Sequence, residues 1–153
     1  MFYAERMIQP NRGHALRAGR HSLPGHAYMV TTVTALREPI FADFDAARRV
    51  IRCLARMDQL AATQTHCFVL MPDHLHWLFV LGEGWSLSSL MRQFKSYSAR
   101  NLGGPSWQAD FHDHGIRAEE NLRHIARYIV ANPLRAGLVE TIGDYPHWDA
   151  RWL

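Results

Sequence analysis

The spacing of apolar residues switches along this chain between two periods, and the switches mark out its elements. Ala27 to Ala35 (AYMVTTVTA) is β-branched and aromatic, which predicts a strand. From Phe44 to Met57, apolar residues recur at 44, 47, 50, 51, 54 and 57, a helical stripe with Asp43 as its N-cap. Arg48, Arg52 and Arg56 line the other side of that helix at four-residue spacing, in the manner of a solvated face. Two strand-like runs follow, 65–71 and 75–81, joined tightly through Met71-Pro72-Asp73 and so expected to pair as antiparallel neighbours. Residues 86–100 read as a helix that opens at a serine N-cap and closes before Gly103-Gly104-Pro105. A strong helix is predicted over 118–132, with Leu122, Ile125, Ala126, Ile129 and Val130 on its buried face. Pro133 ends it, because the residue before a proline is pushed out of the helical region. A shorter helical piece, 133–138, comes next, and the tail after Gly143 reads as irregular. This order predicts an α+β fold in which helices cover mainly one face of a largely antiparallel sheet.

The first 26 residues form a separate unit in this reading. Gly13, Gly19, Pro24 and Gly25 would interrupt any regular element, while Arg12, Arg17 and Arg20 lie between them, so the segment reads as an extended basic arm. The remainder, 27–153, has the length of one domain. The sequence is 48% hydrophobic and 20% charged, which is ordinary for a globular protein. No apolar run approaches the ~20 residues of a membrane span, and the N-terminus has no secretory pattern, so a cytoplasmic setting is expected. Cys53 and Cys67 match no zinc spacing and make no disulfide framework.

The formal net charge of +3 changes the picture modestly, but its make-up is lopsided, since Lys95 is the one lysine. Guanidinium groups offer a planar fork that matches phosphate oxygens, which suits a nucleic-acid partner; base composition of the gene accounts for an arginine excess equally well. Arg92, Lys95 and Arg100 fall on the 86–100 helix and Arg117 precedes the next one; with the arm they are the candidate phosphate contacts. Tyr97, Trp107 and Phe111 are candidates to stack on unpaired bases or to pack in the core.

The candidate chemistry begins at His74-Leu75-His76. Side chains alternate along a strand, so both imidazoles share one face and can converge on a divalent cation. On exposed strands such polar alternation is also common without any ligand. On the late helix His124, Tyr128 and Asn132 sit four residues apart and form a row. A phenol titrates near 10 and becomes nucleophilic where a base or cation favours its anion, so a tyrosine beside a metal can attack a phosphodiester. Asn132 either supplies an oxygen ligand or caps the helix that Pro133 begins.

MPDHLHWLFVL (71–81) resembles the two-histidine HUH motif of single-tyrosine transposases, and RYIVANPLRAGLV (127–139) is similar to their tyrosine helix. Within that group the likeness is to the REP-associated tyrosine transposases. Trp107-Gln108, Phe111 to Arg117 and Pro24 to Tyr28 share it, so it spans roughly residues 10–145. The resemblance implies a ferredoxin-like core with the histidines on a central strand and the tyrosine on a facing helix. It implies Tyr128 as nucleophile and His74, His76 and Asn132 as ligands of Mg²⁺ or Mn²⁺. The expected substrate is single-stranded or hairpin DNA such as a repetitive extragenic palindrome (REP), cut to a 5′-phosphotyrosine and a free 3′-hydroxyl. Such a protein would work at the nucleoid as a monomer or a homodimer. Asp73 departs from the Asn or Glu usual before the first histidine, and either joins the metal or caps the turn. The competing reading is a non-cutting, hairpin-binding regulator.

Overall fold

The computed structural model describes residues 22–117 and 120–151. Three antiparallel strands make the middle of the sheet: β1 (Ala27–Val33), β2 (Thr63–Met71) and β3 (His74–Leu81). β2 and β3 form a hairpin whose two-residue turn, Pro72-Asp73, links the paired Met71 and His74. The segment before helix α1 (Phe44–Gln59) clamps that turn. Thr34 N–H and Phe41 N–H donate to the carbonyls of Asp73 and Pro72 at 2.9 and 3.0 Å. Two further short strands, β4 (His112–Gly115) and β5 (Trp148–Ala150), lie at the edges and give the order β4-β1-β3-β2-β5. With α2 (Leu87–Leu102) between β3 and β4, the chain runs β-α-β-β-α-β in the ferredoxin-like arrangement, with β5 added outside β2.

β3 shows why the sheet has two covers. Leu75, Trp77, Phe79 and Leu81 point to one side and join Ala47, Val50, Leu54 and Met57 of α1 with Leu90, Met91 and Phe94 of α2. Trp77 and Phe94 lie with ring centroids 5.3 Å apart, and Trp77 is fully buried, so truncation there would cost about 3–5 kcal/mol. The opposite side carries Leu78, and with Met29 and Val69 it packs against Ile125, Ala126, Ile129 and Val130 of α3 (Leu122–Val130). Two long helices thus cover one face, as expected, and the tyrosine-bearing helix crosses the other.

Element boundaries moved where tertiary structure decided them. α3 begins after Asn121, whose side chain accepts the His124 N–H, and it is followed by the one-turn α4 (Asn132–Arg135), where 133–138 had been expected. The tail read as irregular contains β5 and buries Tyr145, whose hydroxyl donates to the Leu70 carbonyl. The 112–115 segment, not expected to be a strand, pairs with β1. α2 ends at Gly103, whose φ of +88° is a left-handed C-cap that a glycine takes without strain.

Candidate active site on the α3 face of the sheet

His74 and His76 lie on the third strand of five, on the face that α3 covers. Their rings meet edge to face with centroids 4.8 Å apart. Each has its Nδ1 occupied: His74 with Asp73 Oδ1 at 2.6 Å, His76 with Thr31 Oγ1 at 2.8 Å. Thr31 reaches His76 because the register of β1 against β3 pairs those two residues directly. The arrangement leaves Nε2 of both rings for a ligand, and a ring nitrogen held in this way orients the other toward a metal. The Asp73 carboxylate therefore orients His74, and its second oxygen accepts from Arg37 at 3.3 Å. His76 is 3% exposed. Burial above all, then the neighbouring His74 and the Arg135 guanidinium, push its pKa down to about 3. The imidazole is neutral near pH 7 and keeps its lone pair.

Tyr128 is half-buried on α3, and its ring lies under the guanidinium of Arg135, 3.8 Å from Cζ to centroid. Asn132 behaves differently from a cap. Pro133 has no N–H to give to the Ile129 carbonyl four residues back, and the Asn132 amide nitrogen fills that place at 3.0 Å. The N-cap position of α4 is Ala131, with no side-chain bond, so the capping role expected of Asn132 is not taken up. Its Oδ1 remains as an oxygen donor. Among the described residues no group of three or more His, Cys, Asp or Glu is placed to hold a metal. Imidazole nitrogen and amide oxygen are nevertheless donor types that suit a divalent ion.

The basic residues expected to meet phosphate divide by location. Arg12, Arg17 and Arg20 lie outside the described residues. Arg92, Lys95 and Arg100 belong to α2, on the opposite side of the sheet from the histidines. Lys95 spends its ammonium on the Gln108 and Asp110 carbonyls, both at 2.8 Å, and Arg100 rests over the Tyr97 ring. Arg117 is exposed at the end of β4, its N–H donating to Glu120. Burial opposes the charge of Glu120, yet the Arg117 N–H, the His114 ring and the Arg117 charge together hold its carboxyl below the usual range. Trp107 packs between Phe41 and Phe94 and donates to Ser98, a core role, and Phe111 is buried. Sequence reasoning missed Thr31, Arg37 and Arg135 as members of the histidine side. Only Arg135 had a local signal, its spacing of seven from Tyr128.

A family model described as IS200-like transposase matches residues 22–132, a span that holds both histidines, Tyr128 and Asn132. The chain belongs to that family. It is 33% identical over 85 residues to the REP-associated tyrosine transposase of Escherichia coli (strain K12), covering 54% of this chain and 52% of that protein. A Haemophilus influenzae protein named provisionally for the same activity is 28% identical over 100 residues, 55% and 57% of the two chains. The chain thus spans little more than half the length of the curated relatives it matches. Among solved structures it is similar to a REP-associated tyrosine transposase bound to a REP hairpin, with a TM-score of 0.72 at 24% identity over 84% of this chain and 79% of that one. At this identity the likeness to that transposase carries the fold. No helix among the described residues is long and apolar enough to cross a membrane.

Proposed function

We propose that this transposase-family chain cuts single-stranded DNA beside a REP-like hairpin and rejoins it, with Tyr128 as nucleophile. The observation that carries the reading is the histidine pair: two imidazoles in edge contact, both tied at Nδ1, on the sheet face crossed by the tyrosine helix. The relative in the solved complex binds a REP hairpin, which supports the same class of DNA here.

The Tyr128 oxygen attacks a backbone phosphorus and forms a P–O bond as the bond to the 3′ oxygen breaks. The phenol proton is lost, the leaving oxygen gains one, and the products are a 5′-phosphotyrosine and a 3′-hydroxyl. Attack by a 3′-hydroxyl reverses the step, so one phosphodiester replaces another and no ATP is consumed. His74, His76 and Asn132 would hold Mg²⁺ or Mn²⁺, which when bound supplies charge stabilisation to the phosphate oxygens. Asp73 and Thr31 keep the two rings in the required orientation, and the neutral state of His76 keeps its Nε2 available. Arginines of the N-terminal arm, with Arg92, Arg100 and Arg117, would add salt-dependent affinity along the strand.

Incubation with labelled hairpin oligonucleotides and Mn²⁺, followed by a denaturing gel, tests the reading. Wild type is expected to give a covalent protein–DNA band that needs metal and is absent from Tyr128→Phe. Tight hairpin binding without a cut strand or a covalent band, over a panel of palindromes, would replace this reading by a non-cutting regulator.

A further inference from the structure

Arg135 covers the ring of the proposed nucleophile. It lies seven positions after Tyr128, nearly two helical turns, so both fall on one side of the α3–α4 run. Long side chains on a helix lean back toward its N-terminus, and the Arg135 side chain does so until its guanidinium lies 3.8 Å over the Tyr128 ring. A planar guanidinium that stacks by its face keeps its N–H groups at the edge, and those groups match phosphate oxygens in a fork. Arg135 is otherwise exposed, so its edge is open to a strand laid across the histidines.

We propose that Arg135 clamps the nucleophile, holding the Tyr128 ring with its face while its edge receives the phosphate that the tyrosine attacks. The inference rests on Tyr128 being the nucleophile. The clamp needs two properties at once. Its planarity fixes the ring, and its fork fixes the phosphate relative to that ring. Lysine supplies charge without either. Arg92, Lys95 and Arg100 cannot substitute, because α2 lies on the far side of the sheet. A misplacement of about 1 Å between nucleophile and phosphorus costs on the order of 100-fold in rate, and that is the scale expected for loss of the clamp.

The test compares wild type, Arg135→Ala, Arg135→Lys and Tyr128→Phe on one labelled hairpin in Mn²⁺. Single-turnover formation of the covalent band is measured beside hairpin affinity by fluorescence anisotropy. Arg135→Ala is expected to slow the covalent step about 100-fold while weakening affinity less than about 5-fold. Arg135→Lys should stay near the alanine rate, and added ethylguanidinium should recover part of the rate in Arg135→Ala but none in Tyr128→Phe. A rate in Arg135→Ala equal to wild type overturns the clamp alone. So does full recovery by lysine, because charge would then suffice. Absence of a covalent band from wild type itself overturns the nucleophile and the clamp together.

Discussion

Thr31 and Thr32 are neighbours on β1, both buried, yet valine should act on them with opposite sign. Thr31 faces the histidines and shares a hydrogen bond of 2.8 Å with His76 Nδ1. Thr32 faces the other side, and its hydroxyl is buried with no hydrogen-bond partner among the described residues. Valine keeps shape and β-branching at either site, so strand propensity cancels between the two variants. Thr31→Val strands a buried ring nitrogen, which costs about 1–3 kcal/mol. Thr32→Val removes a hydroxyl that is desolvated without compensation, a gain of about 1 kcal/mol. With a urea m-value of about 2 kcal/mol/M, the midpoint should fall by roughly 1 M for Thr31→Val and rise by about 0.5 M for Thr32→Val. Urea titration followed by far-UV circular dichroism reads both. Equal shifts in one direction would refute the reasoning, since shape rather than hydrogen bonding would then set the outcome. Thr31→Val should also raise the Mn²⁺ concentration needed for the covalent band, by about 10- to 100-fold, as loss of a group that orients a metal ligand does.

Acid should weaken the fold through His76. The His76 pKa falls from 6.5 unfolded to about 3 folded, so the unfolded chain binds the extra proton. The resulting stability is present above pH 6.5, declines as pH drops toward 3, and amounts to a few kcal/mol; urea midpoints at pH 7.5 and 5 check it, and equal midpoints would refute it. His66 and His147, lowered chiefly by burial, act in the same direction. Burial raises the thiols of Cys53 and Cys67 to about 11 and about 12, so neither should react with a disulfide reagent until urea unfolds the chain, and prompt labelling of native protein would contradict their placement. Gly82→Ala places a Cβ 1.9 Å from the Ala61 carbonyl oxygen, which the backbone must yield to, so a loss of about 2 kcal/mol or more is expected; a wild-type melting temperature would show that the 61–62 turn is not fixed.

The elements that carry their own periodicity were legible in the sequence, and those that exist only because a neighbour offers an edge were not. α1 and the β2–β3 hairpin follow directly from apolar spacing and from Pro72-Asp73. β4 is His112-Asp113-His114-Gly115, with no apolar alternation, and it is a strand because β1 has an edge to pair. β5 is three residues long and adds to β2 in the same way. A signal for the second helical layer was present: Leu75, Trp77 and Phe79 alternate with Leu78 across β3, and a strand that is apolar on both faces needs two covers. Within the site, alternation placed His74 and His76 side by side. Thr31 stands 45 residues from His76 and became its partner through strand register, which local patterns do not encode.

The two faces of β3 divide the protein's tasks. On the α1–α2 face, Trp77, Phe79, Phe41 and Phe94 form an apolar layer that does not depend on protonation or ligand. On the α3 face, two imidazoles interrupt the apolar layer, and His76 is desolvated as thoroughly as the leucines beside it. That burial penalises the imidazolium, so it weakens the fold in acid, and by the same physics it keeps the ring neutral, with its lone pair unprotonated, at neutral pH. The flanking arginines fit this division. Arg37 meets the carboxylate that steers His74, and Arg135 covers the ring of Tyr128. Both place positive charge at the margin of the pair, while buried His76 itself stays uncharged.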